Sequence, residues 1–362
     1  RQMCIRDRYL PDEFVEEYFE EVSKADSDEE KENMLIVISD SKIKDSYGAK
    51  NIIEAPNNQY ILQYESEEEK NKALEKLESD KSIASVEKNE VRQIEEVTYN
   101  SWGINKMSLD YAIDNSNIDN LEEVTVAIID TGLDVNLFNK YYGGRLAGYY
   151  NVLEKSNTIM NDTNGHGTHV AGTIAEGTPS NVKILPIKVS TNGSMYTTDI
   201  IAAINYITVD KKADVINMSF GGYGKSEAEE QAIEAAKQKN IISVAAAGND
   251  NTSKEHYPSS FDNTIAISSV DSQLKKSSFS NHGSKVTFAA PGSDIKSIMS
   301  SEASISKRNG NSDGDNDHET ISGTSMATPH AVASVAILKG YNKNLTLDLS
   351  LIHISEPTRH WA

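Results

Sequence analysis

Cysteine is all but missing: the 362 residues contain one, Cys4. A disulfide framework or a cysteine-based zinc site needs more thiols than that. A thiol nucleophile would have to be Cys4 itself, in a terminal tail. Cationic residues are scarce too. Lys and Arg total 35 against 55 Asp and Glu, a formal net charge of −20. Nucleic acid and anionic lipid both select a positive footprint, so the balance argues against either as a partner. No run of about 18 apolar residues occurs, which leaves no candidate for a membrane-spanning helix. The remainder is ordinary for a globular chain: 38% hydrophobic and 25% charged residues, in a length that suits about two domains.

The termini do not match the composition beside them. Residues 1–8 and 349–362 both resemble peptides translated from sequencing-adapter DNA, and are set apart from fold reasoning as artefact tails, two genuine disordered termini being the other reading. On the artefact reading Cys4 is not native and authentic sequence is expected to stop near Asp348. Residues 9–33 are strongly acidic. Phe14, Val15, Tyr18, Phe19 and Val22 recur there at helical spacing, which suits either a solvated linker or a short amphipathic helix.

Residues 34–95 read as a small α+β unit. Leu35–Ile38, Tyr60–Tyr64 and Ile83–Val86 are strand candidates. Ser66 followed by Glu69 is a capping-box signature opening a helix with Ala73, Leu74 and Leu77 on one face. Strand, helix, strand in so short a span suggests a ferredoxin-like sandwich. From residue 100 to 348 the texture changes. Apolar runs at Val124–Ile129, Val182–Val189, Val215–Ser219, Ile241–Ala247, Thr264–Ser268 and Val286–Ala289 alternate with helical stretches, notably Thr198–Val209 and Glu227–Lys239. Fully apolar strands between helices predict an α/β fold with a buried, mostly parallel sheet. Active sites of such sheets lie beyond the carboxyl ends of the strands.

Three spots carry candidate chemistry. Asp130 ends an apolar run and precedes Thr131-Gly132. It is either a ligand-presenting carboxylate or a turn acid. The same local pattern marks aspartic proteases, but those need two such carboxylates and no second Asp-Thr-Gly occurs. His166 stands in Gly165-His166-Gly167-Thr168-His169, where flanking glycines permit close approach. A zinc site at His166 and His169 lacks a third ligand at suitable spacing. Ser325, in Gly323-Thr324-Ser325-Met326-Ala327-Thr328-Pro329-His330, falls at a predicted helix N-terminus, with Pro329 suiting the first turn. There it is either a nucleophile or a plain N-cap. Asn249 closes the strand Ser243–Ala247 and could donate to an oxyanion. The chain order Asp, His, Ser on an α/β sheet is the subtilisin order.

On these motifs the chain resembles the subtilisin-like serine proteases with an inhibitory propeptide attached. Val215–Gly222, Tyr257-Pro258, Ser278-Phe279-Ser280 and Ala290-Pro291-Gly292 support the likeness in family order. The resemblance implies a serine endopeptidase made as a self-cleaving zymogen. Ser325 is then the nucleophile, His166 the base and Asp130 its orienting carboxylate. Asn249 and the Ser325 N–H form the oxyanion hole. Ser219, Phe220 and Gly221 bind substrate backbone opposite Ala246, Ala247 and Gly248. His169 has no catalytic part. It further implies protein or peptide substrates, the propeptide as an intramolecular inhibitor, cleavage between Arg92 and Asn100, a monomer, and an extracellular or cell-surface site in a bacterium. The chemistry requires no cofactor.

Three departures matter. Ala175–Ser180 leads almost directly into the next strand, where the family often has a calcium loop. Asp313, Asp315 and Asp317 alternate in a polar insertion and are candidate calcium ligands, a solvated insertion being the other reading. His256 stands before Tyr257-Pro258, where many relatives have a small residue, so the pocket beneath it is expected to be narrowed or tuned to polar or basic side chains. A catalytically silent, propeptide-locked binding module and an intracellular processing enzyme are the alternatives.

Overall fold

The structure is a computed structural model. It describes residues 31–39, 42–43, 45–55, 58–89, 91–94, 102–109, 113, 121–158, 160–309 and 316–347. The two terminal tails, nearly all of the acidic 9–33 segment, residues 95–100 of the expected cleavage window, Asp313 and Asp315 lie outside them. No helix among the described residues is long and apolar enough to cross a membrane.

The amino-terminal unit runs β1 (Met34–Ser39), β2 (Asn51–Ala55), β3 (Gln59–Gln63), α1 (Glu67–Ser79) and β4 (Ile83–Lys88). Its antiparallel sheet has the order β2-β3-β1-β4. α1 starts where Ser66 accepts from Glu69 N–H at 3.4 Å. Glu67, Glu68 and Glu69 sit in its positive first turn. Glu69 reaches back to the Glu65 N–H rather than to that of Ser66, so half of the expected capping box is shifted by one residue. Leu35, Val37, Leu62, Ala73 and Leu77 form the core under the helix. β2 was not legible as a strand: Asn51-Ile52-Ile53-Glu54-Ala55 takes its order from pairing with β3.

After β5 (Val91–Ile94) and the short α2 (Gly103–Lys106), the chain continues β6 (Val124–Asp130), α3 (Val135–Tyr142), β7 (Tyr150–Asn151), α4 (His166–Glu176), β8 (Val182–Lys188) and β9 (Ser194–Tyr196). Then come α5 (Thr197–Val209), β10 (Val215–Met218), β11 (Phe220–Gly221), α6 (Glu227–Gln238), β12 (Ile242–Ala246) and β13 (Thr264–Val270). The last described elements are β14 (Phe288–Pro291), β15 (Ile295–Ile298), α7 (Ser304–Asn309), β16 (His318–Ile321) and α8 (Thr324–Tyr341). Parallel pairing builds the order β14-β13-β12-β10-β6-β8-β7. Helices cover both faces, so the strands are apolar throughout rather than alternating. Val126, Ile128 and Val244 face one buried layer and Ala127, Ile129 and Ala245 the other. β6 lies where the order turns, with β8 on one side and β10 on the other, which puts Asp130 at the switch point.

The small unit docks on the large one. Met34, Ile36, Ile53 and Ile61 share a buried apolar cluster with Ala203, Ala228 and Ala232. Two polar side chains cap helices across the contact. Asn89 accepts from Thr198 N–H at 3.1 Å and donates to Thr198 Oγ1 at 3.2 Å, at the start of α5. Glu87 Oε1 accepts from the N–H groups of Glu227 and Ala228, at the start of α6. Past Asn89 the chain becomes β5, the middle strand of an antiparallel trio with β11 and β9.

The turn after α4 is gathered by one cation. Arg145 donates to the carbonyls of Ala175, Thr178 and Val182 and to Thr178 Oγ1. Burial lowers the guanidinium from its ordinary range to about 10, still charged at neutral pH. Lysine is a point charge and cannot reproduce this fork. Arg145→Lys is expected to cost about 2 kcal/mol by leaving buried acceptors unmatched. Thermal denaturation in a Ser325→Ala background checks it, and an unchanged midpoint would contradict the assignment.

Candidate active site

Each candidate side chain is delivered by the end of an element. β6 ends at Asp130, whose Oδ1 accepts the next residue's N–H, Thr131, at 2.7 Å. α4 begins at His166, after Gly165 in left-handed backbone at φ 103°. Asp162 fixes that entry: Oδ1 accepts from Gly165 N–H at 2.9 Å, and Oδ2 from Thr168 N–H at 2.9 Å and Thr168 Oγ1 at 2.7 Å. Gly167 has to be glycine, since a Cβ there would stand 2.3 Å from the Gly132 carbonyl oxygen. The outcome is His166 Nδ1 at 2.8 and 3.0 Å from the two Asp130 oxygens, both residues fully buried. Nδ1–H donates to the carboxylate, which makes Nε2 the basic nitrogen. Behind the turn, Lys188 Nζ donates to the carbonyls of Thr131 and Asn161, and burial pulls its pKa down.

Ser325 is the second residue of α8, and Gly323 holds the N-cap position, so Ser325 is not the cap. Its Oγ donates to the Ser219 carbonyl at 2.7 Å. In return, Ser219 Oγ donates to the Ser325 carbonyl at 2.9 Å and accepts from Asn217 Nδ2 at 3.0 Å. Pro329 explains why that carbonyl is available. It lies inside the helix, in the second turn rather than the first, and has no N–H to close on Ser325 four residues back.

Asn249 is held by its oxygen. Oδ1 accepts from both Thr324 N–H and Thr324 Oγ1 at 2.9 Å. The amide is thereby fixed with Nδ2 on the other side, buried and without a hydrogen-bond partner among the described residues. A buried N–H2 in that condition costs free energy unless something accepts from it. Thr324 and Asp162 were missed from sequence; the signal for each was a hydroxyl or carboxylate within three or four residues of a helix start.

The remaining candidates separate by surroundings. β5 pairs Ile94 with Phe220 and Gln93 with Gly221 on one side, and Val91, Arg92 and Gln93 with Tyr196, Met195 and Ser194 on the other. Ser219, Phe220, Ala246 and Ala247 are buried along this cleft. His256 lies between Gly221 and Gly248. His169 faces away, with Nε2 at 3.0 Å from the Ile295 carbonyl and 3.2 Å from that of Glu319. Burial and the neighbouring His166 lower it to about 3. Of the calcium candidates only Asp317 is described, and its Oδ2 takes Lys140 Nζ and Tyr141 Oη. Among the described residues no three His, Cys, Asp or Glu side chains are grouped to hold a metal ion.

The parallel sheet thus carries a carboxylate–imidazole pair and a helix-borne serine at its carboxyl edge. Residues 122–349 match the Subtilase family, Peptidase S8, and the chain belongs to that family. It is 34% identical over 252 residues to thermitase of Thermoactinomyces vulgaris, covering 66% of this chain and 84% of thermitase. It is 35% identical over 281 residues to alkaline serine exoprotease A of Vibrio alginolyticus, of which it spans only about half, 49%. Among solved structures, a cold-adapted subtilisin-like serine proteinase aligns with a TM-score of 0.55 at 34% identity, over 66% of this chain and 82% of that one. Fervidolysin from Fervidobacterium pennivorans aligns with a TM-score of 0.71 over 87% of this chain and 55% of its own, a likeness of fold at 24% identity.

Proposed function

We propose that this chain is a serine endopeptidase made as a self-cleaving zymogen, with residues 34–95 as its intramolecular inhibitor. The observation that carries the proposal is a peptide strand already lying in the cleft. β5 adds itself between β11 and β9, and the Ser219 carbonyl at the end of that cleft is the atom to which Ser325 Oγ donates. Main-chain pairing of this kind binds extended peptide without regard to most side chains.

The chemistry follows from the site. As Ser325 Oγ attacks a carbonyl carbon, His166 Nε2 takes its proton, and Asp130 holds the imidazolium through Nδ1–H. The oxyanion accepts from Asn249 Nδ2 and the Ser325 N–H. The C–N bond then breaks, His166 protonates the leaving amine, and water enters by the same route to release the acyl group. Each step is served by groups of this chain, so one copy suffices. An inhibitor carried in cis suits release outside a bacterial cell, where activity must wait for export.

The test is a fluorophosphonate probe on the full chain beside Ser325→Ala, with intact mass recorded. Label on Ser325 alone and loss of the residues before the cleavage window are expected. An unlabelled, uncut chain would instead mean a silent binding module. Asn249→Ala is expected to lower kcat about 10²- to 10³-fold with little change in KM, because the amide acts on charge that exists only in the transition state. An equal loss in binding would count against that role.

A further inference from the structure

One buried cation stands behind the carboxylate–imidazole pair and has no step in the reaction. Lys188 closes β8, opposite Asp130 in the parallel register of β6 and β8. The main chain completes that pairing, since Val189 N–H donates to the Asp130 carbonyl at 2.9 Å. The side chain, buried, then passes beyond the strand end. Its Nζ donates to the Thr131 carbonyl and, at 2.9 Å, to that of Asn161.

Those two carbonyls belong to different segments. Thr131 follows Asp130, and its N–H is the donor that fixes Asp130 Oδ1. Asn161 precedes Asp162, whose carboxylate holds the entry into α4 and so sets where His166 begins. The ammonium therefore ties the peptide beside one member of the pair to the peptide that leads into the other. Gly132 makes room for this. Its backbone is left-handed at φ 115°, and a Cβ there would stand 3.0 Å from the Asn161 carbonyl oxygen and 3.2 Å from Lys188 Nζ. Two more bonds join the segments, Gly167 N–H to Thr131 Oγ1 at 3.0 Å and Asp134 N–H to Thr168 Oγ1 at 2.9 Å. Both engage the first turn of α4; of these links only Lys188 reaches the chain ahead of Asp162. Charge favours an ammonium over a neutral donor here. Burial works against the cation, but the carboxylates of Asp162, Glu154 and Asp130 favour it, and a charged donor holds a carbonyl more firmly than a neutral one.

We propose that Lys188 is a positioning residue for the peptidase reaction: it holds the Asp130 turn against the approach to α4 and thereby sets the distance and angle at which Asp130 meets His166 Nδ1. The proposal rests on the peptidase function above. Lys188 touches neither the substrate nor the reacting atoms, and its influence passes through two main-chain carbonyls. The contact it governs is narrow. Nδ1 lies 2.8 and 3.0 Å from the two carboxylate oxygens, and a misplacement of about 1 Å in such a site costs on the order of a hundredfold in rate. Supporting groups of this kind decide whether a site is only present or held in its working geometry.

The experiment uses the full chain. Lys188→Met keeps the stem and removes the donors. Its kcat on a quenched peptide, per serine titrated by the fluorophosphonate probe, is expected to fall about 10- to 100-fold, with KM within about twofold of wild type. Lys188→Gln, which keeps an amide donor for one of the two carbonyls, should lose less, and stands in should the methionine chain not fold. In a Ser325→Ala background, proton NMR is expected to show the far-downfield resonance of His166 Nδ1–H bonded to a carboxylate. Adding Lys188→Met should move that resonance upfield or erase it while the melting transition stays cooperative. A lysine that served only the fold would lower the melting temperature and leave the resonance and kcat unchanged; that result, in either variant, overturns the proposal. Wild-type chain that neither labels nor cuts overturns the peptidase function instead, and the resonance then still decides whether Lys188 holds the pair.

Discussion

Asp130→Asn is expected to lower kcat by about 10⁴ and to leave the chain uncut. The size follows from which oxygen does what. Asp130 Oδ1 accepts the Thr131 N–H at 2.7 Å, so an asparagine must keep its oxygen there. Its NH2 then takes the place of Oδ2, 3.0 Å from His166 Nδ1. That N–H competes for Nδ1 with the retained oxygen, which is 2.8 Å from the ring nitrogen but already taken by the Thr131 N–H, and so favours the tautomer with its proton on Nε2. The nitrogen that should take the serine proton is then already occupied. Both residues are fully buried, so the mismatch is set within the protein rather than against bulk solvent. KM is expected to change little, because the edges of β9 and β11 that pair with β5 are untouched by the substitution. Steady-state kinetics on a quenched peptide, with intact mass for the uncut precursor, checks both halves. A loss below tenfold would show that Asp130 does not set the tautomer.

The residues of this site were legible because each lies where local chain physics changes. Asp130 ends an apolar strand, His166 follows a left-handed glycine, and Ser325 opens a helix. The buried parallel strands were legible for a related reason, since runs covered on both faces carry no polar positions. What could not be read depends on partners far along the chain. β5 is four residues with two polar side chains, and becomes a strand only between Phe220–Gly221 and Ser194–Tyr196. Arg145 looks like any surface arginine until the carbonyls of Ala175, Thr178 and Val182 converge on it. Asn89 and Glu87 read as a polar end to a strand, yet cap α5 and α6. Pro329 was placed one turn too early, because its use is to free the Ser325 carbonyl for Ser219 rather than to start the helix.

The second large effect is a loss of stability in mild acid, carried by two histidines outside the reaction. His169 and His330 are fully buried. His330 Nδ1 donates to the Met326 carbonyl at 2.8 Å, as His169 Nε2 does to two other carbonyls. Burial pushes His330 down to about 4, and His169, with His166 adding to the effect, to about 3. In the unfolded chain both titrate near the ordinary value of about 6.5. Above that pH both states hold neutral rings, and the histidines contribute no pH dependence. Below it the unfolded chain gains protons that the native state refuses, so stability falls with pH by about 1.4 kcal/mol per unit for each ring. Between pH 6.5 and 5 the pair removes about 3 kcal/mol from a total of about 5–15. Glu87, Glu176 and Asp294 are raised by burial and act in the opposite sense. A single substitution isolates the histidine contribution from theirs. In a Ser325→Ala background, which prevents autolysis, urea unfolding is measured at pH 7, 6 and 5. His330→Gln lowers stability at pH 7 through lost packing, but its decline between pH 7 and 5 should be shallower by about 1 kcal/mol per pH unit. Parallel declines in the two proteins would show that His330 titrates in the native state as it does in the unfolded one, and that its burial carries no acid sensitivity.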